Sequence, residues 1–253
     1  ATAGPLIMAI SIANTAKWRI GYQVLAGIQF GIFFIILISL SLWKVHDESY
    51  INENKKKNQS KSKIDILRIK GVKMTLFAFV LYCAIEFSVG LWGASYLVFY
   101  ESFSILLSGQ MLAIYLFGIT IGRILSGVIS FRLENRVLII AGILLFIVAT
   151  ILLFVSNNTV LIAVGFGLQV LGLAPIFPCL THETPTRFGK ENGIHLIGYQ
   201  IASASFGLSV FPMIFGIIAE YISIQYYLYF LMIIAIGLWI ILMKLDSLFK
   251  KRF

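Results

Sequence analysis

The stretch MTLFAFVLYCAIEFSVGLWGASYLV, Met74–Val98, holds 25 residues and one charge, Glu86. A helix needs about 20 mostly apolar residues to cross the hydrocarbon core of a bilayer, where each backbone N–H and C=O must be satisfied within the segment. Met74–Val98 meets that requirement. Six further segments do so on either side of it: Gly21–Trp43, Ile105–Phe131, Val137–Val155, Val160–Leu180, Ile194–Tyr221 and Tyr226–Met243. The sequence therefore predicts an all-α polytopic membrane protein. Residues 1–13, ATAGPLIMAISIA, are too short to cross. Without an initial Met or a basic n-region they read as the tail of an earlier helix, not as a signal peptide. On that reading the fold is incomplete at the N-terminus, and helices that precede Ala1 are expected partners of the chain.

The composition agrees. Of 253 residues, 59% are hydrophobic and 12% charged, about half the charge of an ordinary soluble domain, and the mean hydropathy is +0.94. This excludes a soluble enzyme and a disordered chain, and two cysteines exclude a disulfide-stapled secreted domain. The net charge of +9 would suit nucleic acid if it formed one basic face, but the basic residues lie in the connections between spans. One set of connections carries nine Lys/Arg between Lys44 and Lys73, then Arg132, Arg136, Arg187, Lys190, Lys244, Lys250, Lys251 and Arg252; the opposite set carries Lys17 and Arg19. Such an asymmetry places the richer side in the cytoplasm and attracts anionic lipid. The expected partners are therefore membrane lipid and not nucleic acid, with the C-terminus cytoplasmic and the chain multi-pass in the plasma membrane.

Residues 44–73 are the one long polar stretch. They divide the chain into residues 1–43, a cytoplasmic loop, and residues 74–253 as a six-helix bundle with its tail. The loop reads as a flexible linker with an amphipathic end at Ile64–Ile69.

Glu86 is the most informative residue inside a span. A carboxylate at mid-membrane depth is costly unless it faces a polar cavity, meets a partner or binds a proton, and desolvation favours the neutral form of a carboxyl. Glu86 is thus the expected site of proton coupling, with Tyr82 four residues earlier on the same face. Gln23, Gln29, Gln110, Gln169, Tyr199, Gln200 and Trp92 are further polar or amphipathic groups within the spans. Amides and tyrosines offer donors and acceptors without net charge, and aromatic rings stack on apolar faces, which together suit a small neutral solute such as a sugar. Tyr82, Trp92, Gln110, Gln169, Tyr199 and Gln200 are the expected substrate-binding set. Arg123, Arg132 and Arg136 stand at the inner end of the third span and the turn after it, where they can pair with acids across the bundle and serve a gate. Gly118, Gly122 and Ser126, and likewise Ser203 and Gly207, lie four apart on one face, the spacing at which membrane helices approach closely. Pro175 and Pro178 interrupt the fifth span and Pro212 the sixth. His182, Glu183 and His195 lack metal-ligand spacing, and no nucleotide or nucleophile motif occurs, so neither a metal nor an organic cofactor is expected; the proton is the expected coupling ion.

GRILSGVISFRLENRVLIIAG, Gly122–Gly142, resembles the loop motif of the major facilitator superfamily, with Gly127, Arg132 and Arg136 matching and Phe131, Glu134 and Val137 departing from it. LYCAIEFSVGLWGASYL, Leu81–Leu97, and THETPTRFGKENGIHLIGYQIASASFG, Thr181–Gly207, are similar to the seventh helix and the tenth-to-eleventh connection of its fucose-permease-like branch, and Gly4-Pro5 to the end of its fifth-helix motif. The resemblance implies that the seven spans are helices six to twelve of twelve, preceded by the end of helix five. It also implies alternating access between two halves and solute uptake driven by a proton gradient, with no enzymatic activity. A drug or metabolite exporter would share the fold, and a non-transporting fragment of a truncated transporter is the reading from a different class.

Overall fold

The computed structural model describes residues 18–57, 66–156 and 158–250. The expected helix tail at residues 1–13, Lys17, the middle of the polar loop at residues 58–65, Lys251 and Arg252 lie outside the described residues. Among the described residues, seven helical stretches are long and apolar enough to cross a membrane, as the sequence predicts. The chain falls into two compact units, Ala1–Asp65 and Ile66–Phe253.

The first unit contains helix α1, Trp18–Lys57, 40 residues long. Its apolar span is Arg19–Leu40. The sequence expects a flexible linker from Lys44 onward; the helix instead continues to Lys57, consistent with the near absence of glycine and proline in that stretch.

The second unit is a helical bundle: α2 (Val72–Phe99), α3 (Ile105–Ile129), α4 (Asn135–Val155), α5 (Thr159–Leu173), α6 (Ile176–Phe188), α7 (Lys190–Tyr221), a 3₁₀ turn at Ile224–Tyr226, and α8 (Tyr227–Lys250). Helix starts follow local chemistry. Ser104 caps α3 by accepting from the Leu107 N–H at 3.2 Å, and Asn158 caps α5 by accepting from the Val160 N–H at 2.8 Å. The expected interruption of the fifth span falls between α5 and α6: Pro175, which has no N–H to give, stands at the head of α6, so the ladder restarts there. Pro212 is accommodated inside α7, which stays one helix of 32 residues.

Helix α2 is the centre of the unit, packing against α7, α8 and α3, while α4 and α5 form a second tight pair. Glycines set these approaches. A Cβ on Gly207 would collide with the Val80 carbonyl of α2; one on Gly142 would lie 2.5 Å from the Gly172 carbonyl, and one on Gly122 would lie 2.5 Å from the Ala174 side chain. Lipid tails are as apolar as leucine, so such helices associate by close packing rather than by water exclusion. A smaller cluster at one end joins Ile66 and Val72, from the far end of the polar loop, to Phe188, Leu196, Leu245 and Phe249. Gly71, at φ +96°, turns the chain there beside the Phe249 ring.

The contacts give a direct comparison. Gly207→Ala should lower the melting temperature in detergent by the equivalent of about 1–3 kcal/mol, because α2 and α7 must separate. Gly127→Ala, with nothing within 4 Å of the added methyl, should be neutral or stabilise by about 0.5–1 kcal/mol. Equal melting temperatures for the two variants would contradict this packing.

Candidate functional site

Glu86 lies midway along α2, and it is not alone. The Arg123 guanidinium of α3 donates to its Oε1 at 2.5 Å. The two helices are antiparallel neighbours joined by a short turn at residues 100–104. Side chains lean toward the N-terminus of their own helix. Glu86 therefore leans toward the Val72 end and Arg123 toward the Ile105 end, which brings together two residues set at different depths. Arg123 points toward mid-membrane rather than snorkelling to the nearby end of α3.

Tyrosines and a phenylalanine complete the surroundings. The buried Tyr115 hydroxyl of α3 donates to the Glu86 backbone carbonyl at 3.0 Å. Tyr82, one turn before Glu86, is fully buried and interacts electrostatically with both Glu86 and Arg123. The Phe177 ring of α6 lies 6.0 Å from the Arg123 guanidinium carbon and packs against Phe79 and Tyr82. The pair thus has apolar walls. It also has an open side, for the Arg123 side chain is 42% exposed against 13% for Glu86. Removing either partner would strand the other charge. That costs about 3–5 kcal/mol for a fully buried pair, and less here because Arg123 is partly open.

The other nominated residues are not gathered around this pair. Gln169 of α5 donates its amide to the Thr150 hydroxyl of α4 at 3.0 Å, and Gln200 of α7 donates to the Thr184 hydroxyl of α6 at 2.6 Å. Each threonine in turn donates to the carbonyl four residues back in its own helix. The two sites are the same device, a buried amide joining neighbouring helices. Trp92 donates its indole N–H to the Pro212 carbonyl of α7 at 2.9 Å and fills the space over Gly216, bracing the proline-containing turn. Gln110 is exposed on α3 and Tyr199 half-buried on α7; neither has a side-chain hydrogen bond among the described residues. Of the six expected substrate-binding groups, Tyr82 stands one turn from Glu86, while Trp92, Gln169 and Gln200 bond to neighbouring helices.

The three arginines separate as well. Arg123 belongs to Glu86. Arg136, at the start of α4, grips Asp246 of α8 through both oxygens, with one bond at 2.5 Å. Arg132 is exposed without an ion-pair partner among the described residues. Near Arg136, Glu183 and Arg187 pair one turn apart on α6, Asn135 bonds His182 at 2.9 Å, and Arg187 lies 5.4 Å from the Phe249 ring centre. Arg136, Asp246, Glu183 and Arg187 interact as one network, and its extended contacts join the ends of α4, α6 and α8.

Two overlapping stretches of the sequence, residues 1–193 and 109–252, match the model of the Major Facilitator Superfamily. The chain belongs to the major facilitator superfamily. No curated protein matches the sequence. Superfamily membership makes this a chain of a membrane transporter and not of an enzyme, and it agrees with the all-α, seven-span architecture. In a transporter of this superfamily, a polar pair held at mid-depth by apolar walls is a candidate for solute or ion handling, whereas the amide–threonine bonds read as packing.

That division is testable. Gln200→Ala should leave the Thr184 end of a buried bond unmet and destabilise the protein by about 1–3 kcal/mol. Thr184→Val should cost a similar amount, and the double variant little more than either, because the two share one bond. Additive losses in thermal unfolding would show that Gln200 acts elsewhere.

Proposed function

We propose that the chain forms part of a proton-coupled secondary transporter that takes up a small polar solute by alternating access, with Glu86 as the coupling acid. The observation that carries this reading is the Glu86–Arg123 pair itself. It is an ion pair at mid-membrane depth, open on the arginine side, within a superfamily whose members move solutes. Protonating Glu86 removes the charge that holds Arg123, so proton binding and rearrangement of the site are one event. The neutral monosaccharide expected from the sequence rests on uncharged donors, acceptors and rings spread over several helices and on the likeness to the fucose-permease-like branch. The amide nitrogens of Gln169 and Gln200 donate to threonines, while both amide oxygens lack a partner among the described residues; the solute class is taken up below.

The remaining roles follow from position. The likeness to the fucose-permease-like branch supports an assignment of α1 to helix six and of the second unit to helices seven to twelve, with uptake rather than export as the direction. The excess of Lys/Arg in alternate connections supports a cytoplasmic C-terminus and plasma-membrane residence. We assign Arg136, with Asp246, Glu183 and Arg187, to an end lock that keeps α4, α6 and α8 together as the bundle moves, and Arg132 to the same face as a free cation.

Glu86→Gln keeps the size and a hydrogen-bond donor but releases no proton. In proteoliposomes of the complete protein, with labelled monosaccharides and sugar acids as probes, wild type should accumulate solute under an imposed pH gradient. The variant should bind and exchange solute without accumulating it. Gradient-driven accumulation by Glu86→Gln would remove the coupling role.

A further inference from the structure

The charge balance of the site names the solute class. Glu86 and Arg123 together are neutral, and Arg123 is the charge that meets Glu86 directly, at 2.5 Å. Among the described residues, the titratable groups that feel Glu86 are Tyr82 and Cys83 on its own helix and Tyr115 and Arg123 on α3; Glu183, Arg187, Arg136, Asp246 and His182 form a separate group. When a proton neutralises Glu86, the site gains one positive charge. A neutral solute leaves that charge in place, with the Phe177 ring on one side of the guanidinium as its main remaining contact. A carboxylate solute cancels it.

Resting on the reading of Glu86 as the coupling acid, we propose that the transported solute is a small organic anion whose carboxylate replaces Glu86 on Arg123 as Glu86 takes up a proton. The ledger closes at each step. One proton joins the Glu86 oxygen, one ion pair is exchanged for another, and the site remains neutral before and after, so proton and anion cross together without net charge. The geometry suits the exchange. The guanidinium has five N–H donors in a planar fork that matches a carboxylate, and the hydrogen bond to Glu86 engages one nitrogen, Nη2. Its 42% exposure puts the fork, rather than the more covered Glu86, on the open side. The Tyr82 hydroxyl is buried and lacks a hydrogen-bond partner among the described residues, yet interacts with both charges. It is placed to donate to whichever carboxylate holds the arginine.

The proposal makes Glu86 an internal competitor of the solute, with consequences that a neutral substrate would not have. The complete purified protein is melted in the presence of lactate, gluconate and glucuronate, each set against a neutral counterpart of similar size: propane-1,2-diol, sorbitol and glucose. At least one carboxylate should raise the melting temperature while its neutral counterpart does not, and a weakly buffered solution should turn alkaline as it binds. Glu86→Gln should bind that carboxylate about tenfold more tightly and with less pH dependence, because the competing conformation is gone. Arg123→Gln should lose the response. Arg123→Lys, which keeps the charge, should retain a weakened one and guards against misfolding of the amide variant. The anion proposal is overturned if no carboxylate has an effect, if the neutral counterpart acts equally, or if Glu86→Gln binds the carboxylate more weakly than wild type. Those outcomes are independent of gradient-driven uptake by Glu86→Gln, which tests the coupling role itself.

Discussion

A carboxylate and a guanidinium held 2.5 Å apart at mid-membrane depth are the constraint around which the second unit is arranged. Charge in a low-dielectric interior is stable only if matched, and the match requires α2 and α3 to lie at a fixed distance and register. Tyr115, bonded to the Glu86 carbonyl, and Phe177, against the arginine, hold the pair from α3 and α6. Two further acid–base pairs, Arg136 with Asp246 and Arg187 with Glu183, lie elsewhere in the unit; Glu86–Arg123 differs from them in joining the middle of α2 to α3.

The rest of the packing keeps those helices in place with little help from charge. Gly207 brings α7 against α2, Gly118 and Gly122 bring α5 against α3, and Gly142 meets Gly172 between α4 and α5. Buried amides join α4 to α5 and α6 to α7. At one end, Arg136 and Asp246 fasten α4 to α8. These contacts tie each helix of the unit to its neighbours through close backbone approach and buried bonds rather than through charge alone.

The spans were legible because length and hydropathy alone decide them, and the break at Pro175 because proline has no N–H for the ladder, although Pro212 carries the same signal and lies inside the continuous α7. Glu86 stood out for its charge. What the sequence could not tell was direction. Helix α2 is apolar around its whole circumference, so periodicity does not say which side faces a partner, and Glu86 looked solitary although Arg123 lies 37 residues away in sequence. For the same reason Gln169 and Gln200 read singly as joints between helices and as a set as cavity lining, and the threonines they bond carry no signal of their own. Tyr115, Phe177 and Asp246 were missed: two are ordinary aromatic residues within apolar runs, and the third lies in the basic tail, where an acid reads as a minor correction to the charge. The small-residue spacing of Gly118 with Gly122 was readable and corresponds to real close approaches.

The most direct measurement is a double-mutant cycle on the pair itself, by thermal unfolding of wild type, Glu86→Gln, Arg123→Gln and the double variant in one detergent. If the two side chains neutralise each other, Arg123→Gln strands Glu86 and is costly, and adding Glu86→Gln recovers stability. The coupling should be about 1–3 kcal/mol. Losses that add within about 0.5 kcal/mol would mean that Glu86 and Arg123 do not depend on each other, contradicting both the site and the coupling built on it.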